Sequence, residues 1–182
     1  DYRRIHWLQK SLNAEEDPDQ GAAGRHADES ARKILGLLLF ENEADPGENG
    51  IEGDPDFQKA FIRRFPRTKD GRSLADFQLA DRIFKYRCSY MVYSKAFETL
   101  PPRVKSAVLG QLRGFLESDP APGNRPGIGK AERRKIAAIL SETLPAWSAS
   151  VQNRSATLAA TQYGPTTAVS AIGTFSEDYE YL

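Results

Sequence analysis

Cysteine, histidine and methionine are nearly absent: the 182 residues hold one cysteine, two histidines and one methionine. A lone Cys88 excludes an internal disulfide and any zinc site built on a cysteine pair, and there is no C-x-x-C-H run for covalent haem. His6 and His26 stand apart, with no H-E-x-x-H, no H-x-E and no serine or cysteine nucleophile motif beside them, so each reads as a surface or structural histidine. Long apolar runs are missing as well. The longest, Ile34 to Phe40, is seven residues with a glycine inside, where a bilayer span needs roughly 18. The phosphate-loop pattern also fails, because Gly129-Lys130 is followed by Ala131 rather than Ser or Thr.

Net charge is absent too, at zero with a pI of about 7.0. Nucleic-acid modules are usually strongly basic, so the turn Arg63, Arg64, Arg67, Lys69, Arg72 and the cluster Lys130 to Lys135 are weak grounds for one. The balance hides a polarity. Residues 1–60 carry 7 basic against 14 acidic side chains (net −7), residues 61–147 carry 17 against 8 (net +9), and the remainder carries 1 against 3 (net −2). Attraction between the two parts within the fold is the preferred reading, with an acidic partner as the other. The carboxylates Glu41, Glu43, Asp45, Glu48, Glu52, Asp54 and Asp56 miss the spacing of a calcium loop and read as a solvated acidic loop. Asn153-Arg154-Ser155 is a glycosylation sequon only in a glycosylating compartment.

What is present is ordinary globular composition, 40% hydrophobic and 27% charged. A chain of this length buries roughly two thirds of its unfolded surface, enough for one core. Ile5, Leu8 and Leu12 predict a short first helix. Asp28 is expected to cap a second whose stripe is Ala31, Ile34, Leu35 and Leu38. Asp54-Pro55 supplies a cap and a first-turn proline for a third, on which Phe57, Phe61 and Phe65 recur every four residues until Pro66.

Ser73 and Asp76 form an approximate capping box ahead of more than twenty residues without Gly or Pro. The stripes Phe77, Ala80, Phe84, Cys88, Met91 and Leu79, Ile83, Tyr86, Tyr90, Tyr93, Phe97 predict a helix apolar on two faces, the most buried in the fold. A short strand over Tyr86 to Tyr93 is the alternative. Cys88 on this helix is expected to pack as a small hydrophobe, although Lys85 and Arg87 are near enough to activate an exposed thiol. Pro101-Pro102 opens a helix with Val104, Val108, Leu112 and Phe115, and a last helix carries Ile136, Ile139, Leu140 and Leu144 up to Trp147. The expected architecture is mainly α, a compact bundle of about five to six helices around a central buried helix over residues 74–98, in a domain of residues 1–147.

Residues 148–182 differ in kind. Arg154 is the only charge from 148 to 175, and 15 of those 28 residues are Ser, Thr or Ala. An extended, weakly charged arm is expected there. It would dock on another protein through Tyr163, Val169, Ile172, Phe175, Tyr179 and Tyr181, with Glu177, Asp178 and Glu180 favouring a basic receiving surface.

The stretch Gly71 to Leu112, carried by Gly71, Arg72, Ser73, Leu74, Phe77, Leu79, Phe84, Tyr86, Cys88, Ser89, Tyr90, Tyr93, Ser94, Phe97, Leu100 and Pro101, resembles the C-terminal region of an uncharacterised group of bacterial proteins associated with the cell envelope. The likeness extends upstream to LLLFENEA and downstream to ERRKIAAIL. Arg87 stands where that group is expected to have proline, which favours an unbroken helix. The resemblance implies a location outside the cytoplasm and a longer precursor, consistent with a chain numbered from Asp1, and it implies no activity. The function expected is a non-catalytic structural or interaction subunit of a larger assembly, with other protein subunits or further copies of itself as partners. The alternative is an accessory or partial chain of an envelope enzyme or electron-transfer complex. No catalytic, cofactor-binding or metal-ligating residue is nominated.

Overall fold

Alanine at positions 23, 27 and 31 recurs every fourth residue, and that spacing puts three methyl groups in a line on one helix face. In a computed structural model, which describes residues 2–12, 21–119 and 127–148, this line is wholly buried. The named helices are α1 (Tyr2–Leu12), α2 (Ala22–Leu38), α3 (Pro55–Ile62), α4 (Lys95–Glu98), α5 (Pro102–Glu117) and α6 (Lys130–Thr143), with a 3-10 turn at Tyr90–Tyr93 ahead of α4. Residues 145–148 add a further helical turn. No strand occurs among the described residues, which hold one isolated antiparallel bridge between Phe77 and Phe84. The chain is a mainly helical bundle, as its periodicities predict. Beyond Ser148 the expected arm lies outside the described residues.

The most extensive helix pairing is α2 against α5, with α1 on α2 and α6 on α5. Ala23, Ala27 and Ala31 are wholly buried, and Leu35 and Leu38 continue the stripe toward Val104, Val108, Leu109 and Leu112 of α5. Small side chains let two helices approach closely, because the interaxial distance follows the residues at the contact. Ile136, Ile139, Leu140 and Trp147 close the core from the other flank of α5. Asp28 is not the cap expected of it. Helix α2 begins six residues earlier, behind Gly21 with no side-chain cap. The burial of Ala23 and Ala27 outweighs a missing cap, worth about 1 kcal/mol. Asp28 instead ties α2 to α5, pairing with Arg103 at 3.0 Å while its carbonyl accepts from the Gln111 amide at 3.2 Å.

Two guanidiniums are buried in this core. Arg133 of α6 is 5% exposed and donates to the carbonyls of Phe115 (2.9 Å) and Ser118 (2.6 Å), both at the end of α5. Those last carbonyls have no intrahelical partner, so Arg133 satisfies them and places a cation at the negative end of the helix. Arg113 of α5 runs the other way. It lies 4.4 Å over the Trp147 ring, donates to the Trp147 carbonyl at 2.6 Å, and faces Glu117 at 3.3 Å.

Residues 74–98 do not form the central helix that two apolar stripes predict, nor are they the most buried segment. After a turn at Leu74–Ala75 the chain folds back on itself: Gln78 N–H bonds the Ile83 carbonyl at 3.0 Å, Leu79 N–H the Arg82 carbonyl at 2.7 Å, and Lys85 N–H the Asp76 carbonyl at 2.8 Å. Three forces oppose the helix. Ile83, Phe84, Tyr86, Tyr90, Val92 and Tyr93 all lose side-chain freedom in a helix. The seat at the bundle centre is already filled by α2 on α5. Ser89 and Ser94 each cap a new short element, accepting from Met91 N–H and Phe97 N–H at 3.2 Å. Half of the capping box forms, with Asp76 accepting from Ser73 N–H at 3.0 Å, but Ser73 Oγ accepts from Ala75 N–H and the pair closes a turn instead of opening a helix. Burial follows a period of two, with Tyr86 and Cys88 inside, Lys85 exposed and Arg87 half-buried, while Met91 is 43% exposed.

The end of α2 is equally informative. Glu41 N–H bonds the Gly36 carbonyl at 2.9 Å and Phe40 N–H the Leu37 carbonyl at 3.3 Å, the two bonds of a Schellman motif. Its left-handed position normally takes glycine; here Phe40 holds it at φ 53°, and Asn42 follows at φ 64°. The Phe40 ring stacks on Phe84 at 5.7 Å, which offsets the backbone cost, about 1 kcal/mol.

Replacing Arg133 with alanine should lower unfolding free energy by about 2–3 kcal/mol, because it leaves buried carbonyls without a donor. Arg134→Ala, on the exposed side of the same helix, should change it by less than about 0.5 kcal/mol. Urea denaturation followed by circular dichroism checks both; equal effects would remove the structural role assigned to Arg133.

Candidate functional site

The six side chains nominated as partner anchors, Tyr163, Val169, Ile172, Phe175, Tyr179 and Tyr181, all lie outside the described residues. What the structure assembles is elsewhere, on two neighbouring surfaces that the fold-back of residues 76–85 creates.

The first surface is aromatic. Asp54 caps α3 as its sequence predicts, accepting from the N–H groups of Asp56 (2.8 Å) and Phe57 (3.4 Å), with Pro55 in the first turn. The helix brings Phe57 and Phe61 into line, and the turn after it adds Phe65. Phe61 then meets Phe77 at 5.3 Å and Tyr90 edge-on at 5.2 Å, Phe65 meets Tyr90 at 4.7 Å, and Phe77 stacks on Phe84 at 5.4 Å. Such ring pairs are each worth about 0.5–1.5 kcal/mol beyond their area. No residue of α3 is fully buried, and Phe57 remains 61% exposed. Lys59 on this helix and Arg63 and Arg64 just after it are exposed, and Lys59 is partly neutralised by Asp56 at 3.4 Å.

The second surface is a cleft of about 440 Å³ where the end of α2, the fold-back tip and the start of α6 converge. Leu39, Phe40, Phe115 and Ile128 give it apolar walls, and Arg82 and Arg87 give it two cations. Glu132 of α6 lies between the arginines, 3.9 Å from Arg82 Nη1 and 3.8 Å from Arg87 Nε, and its Oε1 accepts the Arg87 main-chain N–H at 2.9 Å. At such separations neither guanidinium hydrogen-bonds the carboxylate, and the Nε of each is buried without a partner. On the rim, Glu43 accepts from the Ile83 N–H at 3.3 Å, and the Glu41 carboxylate lies over Gly36, 2.5 Å from where a β-carbon would stand. Sequence reasoning missed this site. Arg87 and Glu132 are 45 residues apart, and nothing local marks them as neighbours.

Chemically activated groups are few. Cys88 is fully buried, and burial pushes its thiol up to about 12, so Lys85 and Arg87 do not activate it. Burial likewise pushes the Tyr93 phenol up to about 12; its hydroxyl sits 2.6 Å from Thr143 Oγ1. In the basic turn, Arg72 and Thr68 hold the exposed Asp70 carboxyl down to about 2. Among the described residues no group of three or more His, Cys, Asp or Glu side chains is placed to hold a metal ion, and no helix is long and apolar enough to cross a membrane.

The raised pKa of Cys88 gives a pH dependence with a definite sign. Above about pH 9 the unfolded chain releases the thiol proton that the folded chain still holds, so stability is full below pH 9 and falls as pH rises toward 12. The urea midpoint of Cys88→Ala should therefore fall less steeply than wild type between those values, and wild-type Cys88 should label slowly with thiol reagents at neutral pH. Parallel slopes, or rapid stoichiometric labelling of the native protein, would show that the thiol is not held protonated by burial.

No family model matches the chain, and neither a curated protein nor a solved structure is significantly similar to it.

Proposed function

We propose that the protein is a non-catalytic structural or interaction subunit of a larger multi-protein assembly, docking through its C-terminal segment, residues 148–182. The observation that carries this reading is the exposure of Phe57 at the edge of the aromatic cluster of α3. An amphipathic helix normally buries its apolar stripe within its own domain, whereas on α3 Phe61 packs on Phe77 and Tyr90 but Phe57 is left exposed and no residue is fully buried. Exposed aromatic residues and arginines are enriched at protein interfaces, and Arg63 and Arg64 follow this helix. Charge complementarity names the occupant: a segment alternating acidic and aromatic side chains. A second copy supplies one, since Glu177, Asp178 and Glu180 are interleaved with Tyr179 and Tyr181. The resemblance of Gly71 to Leu112 to an envelope-associated bacterial group supports placing this assembly outside the cytoplasm.

A second reading, an accessory or partial chain of an envelope enzyme or electron-transfer complex, is favoured by the cleft beside Arg82 and Arg87, where polar groups converge on apolar walls.

Removing residues 149–182 should leave helical content and melting nearly unchanged, since Trp147 and its bond to Arg113 remain, and should abolish association measured by light scattering. Phe57→Asp in the full-length chain should weaken association at least about tenfold, the loss of one aromatic anchor. A full-length protein that is monomeric, pulls down no partner and unfolds on truncation would end the docking proposal.

A further inference from the structure

We propose that the groove between α1 and residues 99–103 is a docking site for an acidic peptide segment of another protein, one that carries a large apolar side chain between its carboxylates. This contact is independent of α3 and of residues 148–182.

Helix α1 is an exception in its part of the chain. Residues 1–60 are acidic overall, yet α1 holds Arg3, Arg4 and Lys10, three of the seven cations of that part, and no carboxylate. The helix packs on α2, with Tyr2 against the core. Trp7 is left 65% exposed, and Arg3 and Lys10 are exposed as well. Positions 3, 7 and 10 are four and three residues apart, so the two cations flank the indole on one helix face. Tryptophan and arginine are the side chains over-represented among the anchors of protein interfaces.

That face is part of the lining of a groove of about 720 Å³, to which the segment ahead of α5 contributes Leu100, Pro101 and Pro102. The lining holds Arg3, Lys10 and Arg103 and no carboxylate. Arg103 is already paired with Asp28 at 3.0 Å, so its charge is taken up inside the fold. Arg3 and Lys10 enter no ion pair among the described residues. The groove therefore keeps two uncompensated cations beside an apolar floor, which selects carboxylates spaced around a hydrophobic anchor. The chain between α1 and α2 does not supply such a segment. Its four carboxylates, Glu15, Glu16, Asp17 and Asp19, have only Ala14 and Pro18 as apolar neighbours, and neither is large enough to cover an indole. An anionic membrane surface is the competing partner. It would reach the exposed Trp7 but not Leu100 and Pro101, which are half-buried, so the concave shape favours a peptide.

The test uses the full-length chain and a fluorescein-labelled octapeptide alternating glutamate with phenylalanine, alongside the same peptide with lysine for glutamate. Fluorescence anisotropy should show saturable binding of the acidic peptide, at least about tenfold tighter than the basic one and weakening as salt rises. Acrylamide quenching reports on Trp7, because Trp147 is 1% exposed, and the bound peptide should protect it. Trp7→Ala, and Arg3→Glu combined with Lys10→Glu, should each weaken binding at least about tenfold. Phe57→Asp should leave it unchanged, so failure here and failure at α3 are separate results. Glu177→Gln, Asp178→Asn and Glu180→Gln together should also leave it unchanged; a severalfold gain overturns the proposal, since this chain's own acidic segment would then be the occupant. Equal binding of the two peptides to wild type, or no binding of the acidic one at about millimolar concentration, overturns it without reference to any variant's folding. Protection of Trp7 by phosphatidylserine vesicles but not by the acidic peptide overturns it in favour of a membrane surface.

Discussion

Everything in this domain is arranged around the close approach of α2 to α5. Three alanines of α2 have no exposed surface, and two of them, Ala27 and Ala31, lie in the core with Val104, Val108 and Leu112 of α5, where small side chains allow a close approach. With that seat occupied, α6 has only the far flank of α5 to cover. Residues 74–98 must wrap the outside, and Ser89 N–H completes the end of α2 by bonding the Leu38 carbonyl at 2.7 Å. Aromatic face and cleft are both products of this exclusion. A chain segment too apolar for solvent and too bulky for the centre meets α3 on one side and the α2 terminus on the other.

Polar groups in the interior follow a single rule: each buried guanidinium is placed where helix ends leave carbonyls open. Arg133 serves the end of α5, and Arg113 serves the turn holding Trp147. Both also lie over a ring, Phe115 at 5.8 Å and Trp147 at 4.4 Å, so the hydrocarbon stems and planar heads are packed as well as bonded. Arg82 and Arg87 depart from this pattern. They converge on a side-chain carboxylate across a cleft instead of on helix-end carbonyls.

How much of this was legible in the sequence depended on whether the signal was local. Asp54-Pro55 fixed the start of α3, Pro101-Pro102 that of α5, and the apolar spacing of 136, 139, 140 and 144 marked the buried side of α6, because caps, prolines and stripes act within a few residues. The helix over 74–98 was misread because Phe77, Phe84, Cys88 and Met91 fit a helical stripe while Phe84, Tyr86 and Cys88 fit alternation equally well. Competition for the bundle centre, which no local window contains, decided between them. The start of α2 was misread for a related reason: a polar residue that can cap, Asp28, outranked alanines whose value lies in tertiary burial and not in a local signal. The cleft was invisible, since its arginines, its glutamate and its strained phenylalanine come from three separated parts of the chain.

That separation has a consequence during synthesis. The bond from Gln111 to the Asp28 carbonyl spans 83 residues of chain. At roughly 5–20 residues per second, the ribosome needs about 4–17 s to deliver the partner that α2 requires. Throughout that interval α2 is outside the tunnel with α1 to pack on but without α5, and closure of the α2–α5 loop cannot begin. The helix pair that makes the mature domain compact is therefore also one that the nascent chain must wait to form.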